Sequence, residues 1–172
     1  MATSPVPSQP SALPSAFREV MASVCTPVSV VTAMSDELPH GTTVSAFASL
    51  SMNPPMVLVS LDLSSELLAV VRKTRRFGLN VLGSSQSDLA LKFARKGGVG
   101  KFADVPWEVD GGVPRIPGAG GFLVCSVARL VPGGDHIIVL GDVLAARAAE
   151  SQPLTYHGRV FGTHVALQRI VA

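Results

Sequence analysis

Polar and apolar residues alternate through Thr43-Val44-Ser45-Ala46-Phe47-Ala48-Ser49-Leu50-Ser51, and this two-residue period predicts a strand. Thr43, Ser45, Phe47, Ser49 and Ser51 fall on one face. Val44, Ala46, Ala48 and Leu50 fall on the other, which is expected to be buried. The first face is a ladder of small hydroxyls around one aromatic. Such a face lets a flat ligand lie close to the backbone and bond to its N–H and C=O groups. Taken alone, the pattern also fits an ordinary half-exposed strand rich in Ser and Thr. Asn53-Pro54-Pro55 separates this segment from a second, more apolar strand that ends Val59-Ser60-Leu61-Asp62.

Upstream, Phe17, Val20, Met21 and Val24 keep helical spacing from Ser15 onward, and Pro27 ends that helix. Val28 to Met34 reads as a β-branched strand, and Ser35 to Gly41 as a turn. Downstream, Ser64 or Ser65 is placed to cap a helix carrying Leu67, Leu68 and Val71. Residues 76–82 read as a strand. Ser85 with Asp88 resembles a capping box before a helix with Leu89, Leu91 and Phe93, and Gly97-Gly98-Val99-Gly100 breaks that helix. A polar stretch rich in Gly and Pro runs to Gly121. Two long strands, about 122–131 and 136–149, and a short one near 153–160 complete the chain. Many strands with few, short helices predict a mainly β fold, a closed barrel with helical excursions.

At 172 residues the chain is one domain with room for a real core. Residues 1–14 hold four prolines and four Ser or Thr, and read as a disordered or extended arm before a domain over 15–172. Hydrophobic residues make up 47% and charged residues 15%, an apolar balance that suggests some surface is buried against another chain. The net charge is +2, and the one basic cluster, Arg72-Lys73-Thr74-Arg75-Arg76, reads as a solvated helix end. With one Trp and one Tyr, stacking platforms are scarce, so no nucleic-acid partner is expected. No apolar run approaches a membrane span and no signal-peptide pattern opens the chain, so a cytoplasmic location is expected. Cys25 and Cys125 imply no disulfide scaffold, and Cys25 reads as a small packing residue. The four histidines lack metal-ligand spacing, so no metal is expected. Neither Gly-x-Ser-x-Gly nor a convincing acid pair is present.

The order and spacing of several segments carry more weight than any one of them. The hydroxyl-rich strand, Val59 to Asp62, Ser64-Ser65, Phe77-Gly78-Leu79-Asn80-Val81-Leu82, Lys101-Phe102-Ala103 and Pro132-Gly133-Gly134-Asp135-His136 occur in that order. From about Phe17 to about Gly162 the chain resembles the flavin reductase-like family, whose fold is the FMN-binding split barrel with short flanking helices. The resemblance implies FMN or FAD as flavin and NADH or NADPH as co-substrate. It also implies a separate flavin-dependent oxygenase that receives the reduced flavin. Together with the apolar balance, the family pattern makes a homodimer the expectation. The flavin ring would lie against Thr43, Val44, Ser45 and Ala46, near Ser49 and Leu50, with its phosphate at Ser64 and Ser65. Asn80 would fix the loop beside the ring, and Lys101 and Phe102 would cover the flavin's tail. His136 would line the nicotinamide site and be the catalytic position, with Arg18 and Tyr156 as weaker candidates for the dinucleotide.

The chain departs from the family pattern at Pro27, where members usually carry Gly, at Met52-Asn53 before Pro54-Pro55, and at Ala46 in place of a second Ser. Two other readings stand beside the reductase. One is a flavin-binding protein of the same fold without turnover. The other is a redeployed split barrel binding another flat ligand in a biosynthetic pathway.

Overall fold

Every residue from Val28 to Ala33 is buried, so this segment must be covered on both faces. The computed structural model, which describes residues 13–167, shows how. Helix α1 (Leu13–Ala22) leads into strands β1 (Thr26–Pro27), β2 (Ser29–Ser35), β3 (Leu38–Val44), β4 (Phe47–Met52) and β5 (Pro55–Asp62). Helix α2 (Glu66–Thr74), strand β6 (Arg76–Val81) and helix α3 (Ser87–Ala94) follow. Then come β7 (Glu108–Asp110), β8 (Val113–Arg115), β9 (Gly121–Gly133), β10 (His136–Ala148), β11 (Thr155–His157) and β12 (Val160–Gly162). Short 3-10 turns occupy Ser84–Gln86 and Gly98–Phe102.

Seven strands form one sheet in the order β3-β2-β6-β9-β10-β5-β4. Its two end strands, β3 and β4, are consecutive in the chain and joined only by Ser45 and Ala46. The sheet must therefore curl until its edges are neighbours, and the Ser60 N–H, which donates to the Ala46 carbonyl at 2.9 Å, extends the β4–β5 ladder into the passage between them. No ladder joins β3 to β4 among the described residues, so the barrel is split along this seam rather than closed as the strand pattern predicted.

Val31 and Ala33 of β2 point into the curled sheet with Val59, Leu61, Phe77, Leu79 and Val139. Helix α2 plugs that interior with Leu67, Leu68 and Val71, the apolar face its spacing predicted. Val28 and Val30 point the other way, into a second cluster with Leu82, Phe93, Phe102, Ile116 and Leu154 beneath α3. Cys125 sits in the first cluster, where burial pushes its thiol up to about 12 and keeps it a neutral packing group.

Several sequence-based expectations need correction. The alternation from Thr43 to Ser51 is not one strand, because it breaks at Ser45-Ala46 and its burial resets there. Val44 is buried as expected, but Ala46, Ala48 and Leu50 are exposed, and Phe47 is the β4 residue that packs on the core. Most of the expected turn over 35–41 belongs to β3, with only Asp36 and Glu37 left at the tip. Helix α1 begins at Leu13 and ends at Ala22, short of Pro27, and none of its residues is buried. Residues 1–12 of the expected arm lie outside the described residues. Cys25 is exposed rather than packed. No Ser85–Asp88 box forms among the described residues; the capping contact belongs to the preceding 3-10 turn, where the Gln86 side chain accepts the Gly83 N–H at 3.0 Å, and Gln86 makes no side-chain capping bond to α3. The Gly/Pro-rich stretch conceals the β7–β8 hairpin, and the final segment is a second hairpin, β11–β12.

Candidate functional site

The seam exposes what a closed barrel would hide. As the terminal strand of the sheet, β3 has an outer edge whose alternate N–H and C=O groups lack a ladder partner. Thr42 to Val44, with Ser45 and Ala46 after them, border a cleft of about 220 Å3. Its other walls are Ser60, Leu61 and Asp62 at the end of β5, Ser65, and His136 at the start of β10. A second cleft of about 300 Å3 shares Thr42, Asp62 and Ser65 with the first, so the two form one groove. It runs over the N-terminus of α2 to His40, Gly41, Lys101 and the segment Ala94 to Gly98.

Ser65 is the N-cap residue of α2, yet its side chain makes no capping bond. The amides of the first helical turn thus meet the groove beside an uncommitted hydroxyl, a setting that favours an anion. Ser64 is committed: its N–H and its hydroxyl both donate to Asp62 Oδ1 at 2.6 Å. Those two bonds, the hydroxyl's first, hold the Asp62 carboxyl below the usual carboxylate range. Arg95 and Lys96 contribute positive charge to the outer wall, and neither has a hydrogen-bond or ion-pair partner among the described residues. Gly98 is needed where the chain passes α2. Its φ is 50°, and a Cβ there would lie 2.6 Å from Glu66 Oε2.

His136 is placed by two strands, lying opposite Gly133 of β9 and Asp62 of β5. The turn before it is tied to the β5 side by the Leu63 N–H, which donates to the Asp135 carbonyl at 3.0 Å. The His136 Nδ1 lies 2.7 Å from the Asp135 carboxylate, which orients the ring and leaves Nε2 for a ligand. The turn contact and the cleft position thus coexist.

Of the residues singled out from sequence, the groove gathers Thr43, Val44, Ser45, Ala46, Ser64, Ser65, Lys101 and His136. It does not gather the rest. Ser49 and Leu50 lie on exposed β4, which leaves along β5 after the break. Phe102 is buried beneath α3, edge-on to Phe93 with ring centres 4.8 Å apart, and its apolar ring is spent on that cluster. Arg18 on α1 and Tyr156 on β11 border neither cleft of this chain, and Tyr156 packs on Phe161 instead. Pro27 pairs with Thr155 in the small sheet β1-β11-β12, away from the groove.

Asn80 is fully buried and satisfied by protein alone. Its Nδ2 donates to the Val30 carbonyl at 3.2 Å and to Thr32 Oγ1 at 3.3 Å, and its Oδ1 accepts the Ile116 N–H at 2.8 Å. It fastens the 113–116 segment to the sheet rather than a loop to a ligand. Asn80→Ala is expected to cost about 1–3 kcal/mol, because a buried N–H loses its acceptor. A urea midpoint unchanged from the parent protein would refute this role.

Sequence reading missed His40, Arg95 and Lys96. His40 stands two residues before Thr42 in β3, and the alternation put that face with Val44, expected to be buried, so no local signal marked it. Arg95-Lys96 directly precedes the Gly pair that ends α3.

Comparison with known proteins now bears on what this groove is. The sequence pattern described as "Flavin reductase like domain" matches residues 21–164. The chain belongs to the flavin reductase-like family. NAD(P)H:flavin oxidoreduction is the general activity of that family. This flavin reductase-like chain is 40% identical over 149 residues to the reductase component of 4-nitrophenol 4-monooxygenase/4-nitrocatechol 2-monooxygenase from Rhodococcus opacus, covering 87% of the chain and 80% of that protein. It is 40% identical over 147 residues to the FMN reductase (NADH) SmoA of Agrobacterium fabrum, covering 85% and 83%. Among solved structures it resembles the NADH:FAD oxidoreductase SgcE6 of Streptomyces globisporus in complex with NAD and FAD fragments. The TM-score is 0.82 at 31% identity, over 89% of this chain and 93% of that one. No helix among the described residues is long and apolar enough to cross a membrane, and no three potential metal ligands cluster there.

Proposed function

We propose that this chain is an NAD(P)H:flavin oxidoreductase that supplies reduced flavin to a separate oxygenase. The observation that carries the reading is the continuous groove along the free edge of β3, which joins the cleft walled by His136 and Ser65 to the one over the open N-terminus of α2. An elongated ligand with a flat polar ring and an anionic tail fits that sequence of surfaces. A bound flavin supplies the electron-accepting ring, at whose N5 the hydride from nicotinamide C4 is taken up.

The protein's own part is positional. The backbone of Thr43 to Ala46 offers donors and acceptors to the ring edge. Ser65, Arg95 and Lys96 offer hydrogen bonds and positive charge to a phosphate, as FMN and FAD both carry. His136 borders the cleft at the β3 edge, where it orders the nicotinamide. No acid or base need act, so the lack of a catalytic dyad fits the chemistry. The named NADH-dependent relatives make NADH the first donor to try and leave NADPH as the comparison. The reductase component from Rhodococcus, a part of a monooxygenase by its name, supports the oxygenase as recipient.

The test is spectroscopic. Adding FMN or FAD is expected to shift the flavin band, and subsequent NADH or NADPH to bleach it with turnover. A shift without bleaching would reduce the protein to a flavin carrier, and no shift with either flavin would overturn the reading.

We also propose a homodimer. Leu13, Phe17 and Val20 of α1 are 73%, 61% and 62% exposed, and Met52 on β4 is 82% exposed. These apolar groups are better explained by a second chain than by water. Sedimentation at micromolar protein is expected to give twice the chain mass, and a monomer alone would defeat the proposal.

A further inference from the structure

Three cations border the cleft over α2, and one differs from the others. Arg95 and Lys96 are exposed and unpaired among the described residues. Lys101 is part-buried, and its Nζ donates to the Phe93 carbonyl at 3.1 Å and to the Gly41 carbonyl at 3.2 Å. Phe93 lies in the last turn of α3, where carbonyls have no partner within the helix. An ammonium there satisfies one of them and complements the negative helix end. Gly41 lies in β3, two residues before Thr43, the first of those proposed to receive the flavin ring.

Neighbouring contacts tie the same elements together. A Cβ on Gly41 would lie 2.8 Å from Phe93 Cε1 and 3.2 Å from Phe102 Cζ, so both rings rest directly on the strand. Thr43 Oγ1 donates to the Ala90 carbonyl at 2.7 Å, one turn earlier on α3. Lys92 bonds back to the Ala103 carbonyl. Strand, helix and 3-10 turn are thus fastened at Ala90, at Phe93 and at Gly41, and Lys101 makes two of those fastenings with one group.

We infer that Lys101 is a positioning residue, which fixes the ligand-facing edge of β3 to α3 and leaves anion recognition to Arg95, Lys96 and the α2 N-terminus. The assignment rests on the proposed flavin site. Burial lowers the pKa of the ammonium while Glu66 acts the other way, in keeping with a group placed for its two carbonyls.

The test compares FMN with riboflavin, which has the same ring and lacks the phosphate. Lys101→Met is expected to weaken both by a similar factor, roughly tenfold, the size carried by a lost charge-assisted hydrogen bond. Arg95→Ala is expected to weaken FMN alone. In ligand-free protein, Lys101→Met should also speed amide hydrogen exchange in Thr42 to Ser45 and in the last turn of α3. Loss of FMN affinity alone, with exchange unchanged, would make Lys101 a phosphate ligand and overturn the inference. If Lys101→Met does not fold, Lys101→Gln carries the same comparison with the same two outcomes. A parent protein that binds neither FMN nor riboflavin would instead sink the proposed function. The exchange measurement, made without ligand, would still judge the fastening.

Discussion

Ser45→Leu is expected to weaken flavin binding by roughly a hundredfold, the scale of forcing excess volume into a fitted site. Ser45→Ala should change it by less than about fivefold, the size of one neutral hydrogen bond. Ser45 is exposed, follows the last residue of β3, and its hydroxyl makes no hydrogen bond within the described residues. Its proposed service is to be small, so that a ring can approach the unpaired backbone edge. The fold should tolerate either change, because the residue packs against nothing in the core. Equilibrium titration followed by flavin fluorescence separates the two variants. If alanine removes binding as completely as leucine, the hydroxyl is the ligand and smallness is not the reason for Ser45.

His136→Ala should slow flavin reduction by roughly a hundredfold while leaving flavin affinity nearly unchanged. Hydride transfer needs donor and acceptor within about 3–3.5 Å, and small misplacement carries that scale of loss. Two strands and the Asp135 contact hold the imidazole in the wall of the cleft. It shares the cleft with Ser65, but its proposed service is to the nicotinamide and not to the flavin's ring or phosphate, so its removal should spare binding of the flavin. Stopped-flow reduction at saturating flavin measures the rate directly. An unchanged rate with weaker flavin binding would place His136 on the flavin's side. No change in either would return it to a surface turn.

The parts of this fold that were legible in the sequence are those whose causes are local. Strands β9 and β10 begin and end within a few residues of where alternation and the Gly-Gly turn put them. Helix α2 shows its apolar face in the spacing of Leu67, Leu68 and Val71. The break between β3 and β4 was hidden, because Ser45 and Ala46 suit either a strand or a bend and only the curl of the whole sheet decides. Asn80 and Phe102 were misplaced for a related reason. The partners of Asn80 are Val30, Thr32 and Ile116, far apart in the chain, and nothing in its neighbours announces them. Phe102 followed a Gly-rich loop and so looked like a lid, yet its ring is claimed by Phe93 and Trp107. Ser65 and His136 could be expected at the groove because each sits at the end of an element that the pattern did locate, whereas Thr43 to Ala46 followed from the order of the segments and not from the strand's end.

The two-residue passage at Ser45-Ala46 has an evolutionary consequence. It is both the hinge that lets the sheet fold back on itself and the floor under the groove. Lengthening it would part the edges of the sheet and move the floor in one stroke, so this wall has little freedom to diversify. The segment Arg95 to Gly97 on the other cleft wall carries none of the sheet's pairing and can change in charge while the barrel stays intact. A lineage that needs a new tail on its ligand can therefore rewrite one bank of the groove and inherit the other.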